Sequence, residues 1–176
     1  MNGLNTINLK DMKDFEIRIP VKECTVDELP AADRRLVEEA REATRTSYVP
    51  YSHFHVGAAI LMADGSVVRG SNQENAAYPS GICAERTAAF YASASHPGVA
   101  MKKIAIAAWT RLHNDGDCPW ADCFQAMPIS PCGACRQALL EYETAYGPIE
   151  VILYGRDKTY IFPSVASLLP FCFTDF

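Results

Sequence analysis

The amino-acid sequence predicts an α/β fold, one mixed sheet of about five strands with helices packed over both faces. Helix-like and strand-like segments follow one another in the order α-β-β-α-β-α-β-β-α, the pattern of a layered α/β domain. The 176 residues suffice for one sizeable core but not for two ordinary domains joined by a linker. With 49% hydrophobic and 21% charged residues and no long like-charge run, the composition is that of a packed globular chain.

Residues 1–28 mix polar and apolar types without a period and read as a surface extension, leaving 29–176 as the domain. From Pro30 to Ser47, Leu36, Val37, Ala40 and Ala43 recur at helical spacing opposite Glu and Arg, which predicts an amphipathic helix. HFHVGAAILMADGSVVRGSN (53–72) reads as two strands joined at Asp64-Gly65, a dipeptide suited to a tight hairpin turn. The alanine-rich YPSGICAERTAAFYASAS (78–95), opened by Pro79 and Gly81, reads as a helix. KKIAIAAWT (102–110) is a strand of buried residue types. RLHNDGDCPWADCFQAMP (111–128), with Asn, Asp, Gly and two Pro, marks a long connection. CGACRQALLEYE (132–143) reads as a helix, IEVILYG (149–155) and TYIFP (159–163) as strands, and VASLLP (165–170) as a short final helix.

Sixteen Lys plus Arg against twenty-one Asp plus Glu give a net charge of −5, which argues against a phosphate-backbone partner. Small uncharged or cationic partners fit better. No window reaches eighteen apolar residues, so a membrane span is not expected. Seven cysteines, an odd number, and an N-terminus without a signal-type apolar stretch predict a reducing, cytoplasmic setting. There, thiols at fixed spacing are more often metal ligands or catalytic groups than disulfides.

Two segments place cysteine where a loop hands over to a helix: Cys83-Ala84-Glu85, and Pro131-Cys132-Gly133-Ala134-Cys135. The unpaired N–H groups and positive dipole end of a helix N-terminus favour the thiolate, the form that binds metal. Cys132 and Cys135 share one helical face, and Cys83 adds a third sulfur for one Zn2+. Three protein ligands leave a tetrahedral position open, the mark of a catalytic zinc. A water there loses a proton near neutral pH, and Glu85 beside it is placed to carry protons to a ring nitrogen and a leaving amine. This is the pattern of zinc deaminases, with cysteine as the first ligand in place of histidine. Arg86 is placed to donate to the sulfurs, reducing their charge and keeping the metal electrophilic. Taken alone, C-x-x-C is also consistent with a redox pair or half of a structural zinc site, but neither accounts for Glu85 or Pro131.

YSHFHVGAAI (51–60), SNQENAAYPSGICAERTA (71–88), SPCGACRQ (130–137) and the LLP near the end resemble the small homo-oligomeric cytidine deaminases of pyrimidine salvage. The resemblance runs from about residue 32 to 173 and implies the three-layer fold of that family. It implies hydrolysis of cytidine and deoxycytidine to uridine and deoxyuridine, with one zinc per chain on Cys83, Cys132 and Cys135 and Glu85 as proton shuttle. Asn72 and Glu74 are then expected to hold ribose hydroxyls, Phe54 to line the pocket, and the main chain at Ala84 and Ser130 to contact the pyrimidine. Phe173, the aromatic after LLP, is expected to stack on the base in a neighbouring chain's site, which implies a homotetramer with shared active sites.

The extension and the 111–128 connection are longer than that family suggests. The connection ends close to Cys132, so Trp120 or Phe124 are candidates to border the pocket, against the plainer reading of a surface or interface loop. Cys118 and Cys123 are expected to be free thiols, and His53, His55, His96 and His113 carry no assigned function. Two competing readings stay open: a deaminase acting on a modified cytosine nucleoside or on cytosine in nucleic acid, and a non-catalytic zinc module. The nucleic-acid reading asks for a basic groove that the charge does not supply. The zinc module has no use for Glu85, Asn72 or Glu74.

Overall fold

The computed structural model describes residues 13–110 and 119–174. Its strands are β1 (Lys22–Cys24), β2 (Phe54–Met62), β3 (Val67–Ser71), β4 (Met101–Thr110), β5 (Glu150–Tyr154) and β6 (Thr159–Phe162), and its helices are α1 (Ala31–Ala43), α2 (Ala84–Ser95) and α3 (Gly133–Tyr146). The six strands lie in the order β1-β6-β5-β4-β2-β3. Only β4 and β5 pair in parallel; the other neighbours are antiparallel.

Alternation along the strands divides the core in two. Ala58, Ile60, Ile104, Ile106, Val151 and Leu153 point toward α2 and α3. Ala59, Ala105, Ala107, Trp109, Ile152 and Tyr154 point toward Leu36, Val37 and Ala40 of α1. The result is three layers, with α1 alone on one face. The small residues of β2 and β4 let helices approach closely on both sides. At Gly70 in β3 an added Cβ would lie 2.4 Å from the Ala88 amide nitrogen and 2.5 Å from the Ala84 carbonyl oxygen of α2. The absent side chain thus sets how near β3 stands to the helix that bears Glu85.

The sheet has six strands, not five. The sixth is β1, inside the segment read as an extension, which pairs Lys22 with Ile161 and Cys24 with Thr159. Lys-Glu-Cys carries no apolar alternation of its own, and pairing with β6 makes it a strand. Leu29 just beyond it is buried in the α1-side core. The short final helix is a single 3-10 turn, Ala166–Leu168.

Of the long connection, residues 111–118, with Cys118 and His113, lie outside the described residues. The remainder folds onto the α1 face. Phe124 bridges Trp109 near the end of β4, beyond the stretch of that strand that pairs with β5. Arg41 lies 4.6 Å from the Phe124 ring, and Arg45 stacks on Trp120 at 3.7 Å. Trp120 and Phe124 therefore belong to the core layer opposite α2 and α3, and the suggestion that they border the pocket is corrected. Cys123 is buried and its thiol donates to the Pro119 carbonyl at 3.4 Å. Among the described residues no helix is long and apolar enough to cross a membrane.

Candidate active site

Cys83 and Cys132 occupy equivalent places, each the N-cap of its helix in extended backbone conformation and without a side-chain cap. An oxygen-bearing cap would accept the first free N–H groups; a sulfur at this position leaves them and the positive dipole end directed at the site. Cys135 lies in the first turn of α3 and is fully buried. The Cys132 and Cys135 sulfurs are 3.4 Å apart, and those of Cys83 and Cys132 are 3.9 Å apart. Tetrahedral ligands at 2.3 Å from zinc place sulfurs about 3.8 Å from each other, so this donor set fits the metal. Among the described residues the potential metal-holding group consists of these three alone.

The thiols do not ionise alike. A hydrogen bond from Cys135 holds the Cys83 thiol down to about 5 against the opposing effect of burial, and Arg86 adds to the lowering. Cys135 is pushed up, first by that same hydrogen bond and then by burial. Arg86 donates to the Cys83 sulfur at 3.9 Å, the contact expected of it. Glu85, on the first turn of α2, is 4% exposed. Burial raises its carboxyl above the usual carboxylate range, while its own backbone amide and Cys135 pull the other way. A carboxyl raised in this way is suited to hold a proton and give it up.

A cavity of about 280 Å³ runs to Cys83 and Arg86 from Asn72, Gln73, Glu74 and Tyr78. The backbone at Gln73 exchanges two 2.9 Å hydrogen bonds with Ile82, tying the Asn-Gln-Glu stretch to the residue before Cys83. Asn72 spans the start of β2, donating to the Phe54 carbonyl and accepting from the Val56 amide, both at 2.9 Å. The Glu74 Oε2 accepts from the amides of Tyr51 and Ser52 at 2.9 and 3.2 Å. Burial raises the Glu74 carboxyl, but hydrogen bonds from Ser52 and Tyr51 outweigh it and keep it below its ordinary value. A carboxylate offers about four acceptor positions, so this one retains capacity for a diol.

The structure thus brings Cys83, Cys132 and Cys135 together, with Arg86 bonded to Cys83 and Glu85 buried beside the sulfurs, and one cavity extends from Asn72 and Glu74 to Cys83 and Arg86. Of the expected residues, Glu85, Cys132 and Cys135 do not line that cavity, and four others also lie outside its wall in the single chain. Phe54 is half-buried at the start of β2, Ala84 is buried in the first turn of α2, Ser130 is exposed before Cys132, and Phe173 is exposed in the C-terminal segment. Tyr51 and Tyr78 line the wall without having been singled out; both lie within the motifs quoted above, and that position was the available signal. The Arg136-Gln137 pair was missed in the same way. It directly follows Cys135, and both side chains bond to segments near the site.

The model of the cytidine and deoxycytidylate deaminase zinc-binding region matches residues 30–147. The chain belongs to this family. A cytidine deaminase of Halalkalibacterium halodurans is 42% identical over 141 residues, 79% of this chain and 92% of its own length. One from Sporosarcina psychrophila is 39% identical, covering 80% of this chain and 90% of the relative. The crystal structure of cytidine deaminase from Burkholderia pseudomallei shares 39% identity and superposes with a TM-score of 0.64 over 79% of this chain and 97% of that one. Membership agrees with the donor set: the matched region is named for zinc binding, and it contains all three cysteines.

Proposed function

We propose that the protein hydrolyses cytidine and deoxycytidine to uridine and deoxyuridine, releasing ammonia. The observation that carries this reading is the buried Glu85 carboxyl beside three sulfurs at zinc-ligand spacing, one of which, Cys83, lines a cavity that Asn72 and Glu74 also line. Zinc held by Cys83, Cys132 and Cys135 supplies Lewis acidity that makes water a competent nucleophile near neutral pH. Water adds to the ring carbon bearing the amine, and the carbon–nitrogen bond then breaks. Through these steps the Glu85 carboxylate takes the proton of the attacking water, passes one to the ring nitrogen and delivers one to the departing amine. Arg86, donating to the Cys83 sulfur, draws negative charge from the thiolates.

Asn72 and Glu74 hold the ribose hydroxyls in this reading, Phe54 gives the base an apolar face, and the main chain at Ala84 and Ser130 selects the carbonyl and amino edge. Residues 29–176 form the deaminase domain, with 1–28 an extension that adds an edge strand. The odd number of cysteines and the free thiols of Cys24, Cys83, Cys132, Cys135 and Cys172 support a cytoplasmic setting.

Glu74 places negative charge at the sugar end, and among the described residues no Lys or Arg besides Arg86 lines the cavity. Turnover of cytidine and deoxycytidine is therefore expected to exceed that of CMP by at least about tenfold in kcat/KM, because a phosphate finds no paired cation. Equal kcat/KM for CMP, or an oligonucleotide as the best substrate, would overturn the assignment.

The 280 Å³ cavity of one chain is at the small end for enclosing a nucleoside, and Phe171 and Phe173 are 75% and 64% exposed. We therefore propose a homotetramer in which Phe173 of one copy stacks on the base held by another. Co-assembling Phe173→Ala chains with Glu85→Gln chains is expected to restore activity above the sum of the two, since some mixed sites then carry both native groups. If activity stays at that sum, the sites are not shared.

A further inference from the structure

We propose that Arg136 and Gln137 are positioning residues that clamp the C-terminal segment 168–173 and the Ser130–Pro131 loop to the first turn of α3, fixing the walls that grip the pyrimidine. The inference rests on the nucleoside reading given above. Arg136 donates through all three guanidinium nitrogens at 2.8 Å: Nε to the Pro131 carbonyl, Nη1 to the Leu168 carbonyl and Nη2 to the Ser130 hydroxyl. Gln137 Nε2 donates to the Phe173 carbonyl, also at 2.8 Å. One residue therefore takes the start of the C-terminal segment and the next takes its end.

Leu169–Thr174 has no helix or strand of its own, and its rings are largely exposed, so burial contributes little to its placement. Phe15 from the extension meets Phe171 edge-on at 6.4 Å, a contact between two exposed rings. The polar bonds restrain it at both ends. A planar guanidinium with donors in a fixed fork holds its three acceptors at set distances from one another. Because Pro131 precedes Cys132 and Leu168 begins the segment bearing Phe173, one side chain sets in a common frame the base-contacting loop of its own site and the aromatic segment that the shared-site reading lends to another copy. A lysine ammonium is a single point charge on a flexible stem and cannot reproduce that frame.

The test uses zinc-loaded full-length protein carrying Arg136→Lys, Gln137→Ala or Gln137→Glu. Zinc content, steady-state kinetics with cytidine, and amide hydrogen exchange over 168–174 are compared with the unsubstituted protein. The clamp predicts unchanged zinc, exchange over 168–174 faster by roughly tenfold, and KM higher by roughly five- to tenfold with kcat within about threefold. Gln137→Glu keeps the side chain's size but presents only acceptors to a carbonyl, so it is expected to match Gln137→Ala. If Gln137→Glu behaves like the unsubstituted protein, packing and not the hydrogen bond holds the segment, and the proposal fails. Faster exchange with unchanged KM also overturns it, because the clamp then does not shape the pocket. Should Arg136→Lys not fold, the two Gln137 variants decide the question. Failure of the unsubstituted protein to turn over cytidine would refute the functional reading, while the exchange data would still decide whether the clamp exists.

Discussion

Glu85→Gln is expected to lower kcat for cytidine by about 10²- to 10⁴-fold, the contribution of one positioned proton carrier, while one zinc per chain is retained. That loss corresponds to roughly 3 to 5 kcal/mol of transition-state stabilisation. The amide preserves the size of the side chain but has no proton to take up and return. Metal content should not change, because the potential metal-holding group is made of sulfurs and does not include Glu85. Stability should not fall either. Burial already disfavours the ionised carboxylate at this 4% exposed position, and a neutral amide avoids that penalty. Metal analysis alongside turnover separates the possible results. Loss of zinc would make Glu85 a ligand, and near-normal turnover would remove it from proton transfer.

Cys135→Ala is expected to abolish both metal retention and activity. Weakening a residue that merely supports a metal ligand costs about 10- to 100-fold in affinity, so deleting a direct sulfur should cost more than about 100-fold. Cys135 is fully buried and its sulfur is 3.4 Å from that of Cys132, so no water-exposed group can readily replace it. Cys172→Ser is the matched control: it is an exposed free thiol outside the potential metal-holding group and should leave zinc content unchanged. Zinc bound normally by Cys135→Ala would mean the ligand set is wrong.

The parts of the site most legible in the sequence are those whose chemistry is local. Cys132, Cys135 and Pro131 lie within one helical turn, and Glu85 follows Cys83 by two positions, so spacing alone places them on one face or one helix start. Asp64-Gly65 marked the hairpin for the same reason: Gly65 adopts φ +86°, a conformation that the turn requires and glycine supplies freely. What sequence reading missed depends on partners far along the chain. β1 exists because Lys22–Cys24 meets β6, near the other end of the sequence. Trp120 and Phe124 are drawn to the α1 face by Arg41 and Arg45, a cation–π contact with no periodic signature. Arg136 and Gln137 were visible beside Cys135, but their acceptors at Leu168 and Phe173 appear only once α3 and the C-terminal segment lie side by side.

The central claim is that zinc on Cys83, Cys132 and Cys135 makes this chain a cytidine deaminase, and zinc titration of chelator-stripped protein with cytidine turnover followed by absorbance tests it most directly. Activity should be absent from the stripped protein, rise in proportion to added zinc and level off at one equivalent per chain. Full turnover without zinc, or one equivalent bound with no conversion of cytidine, would contradict the account.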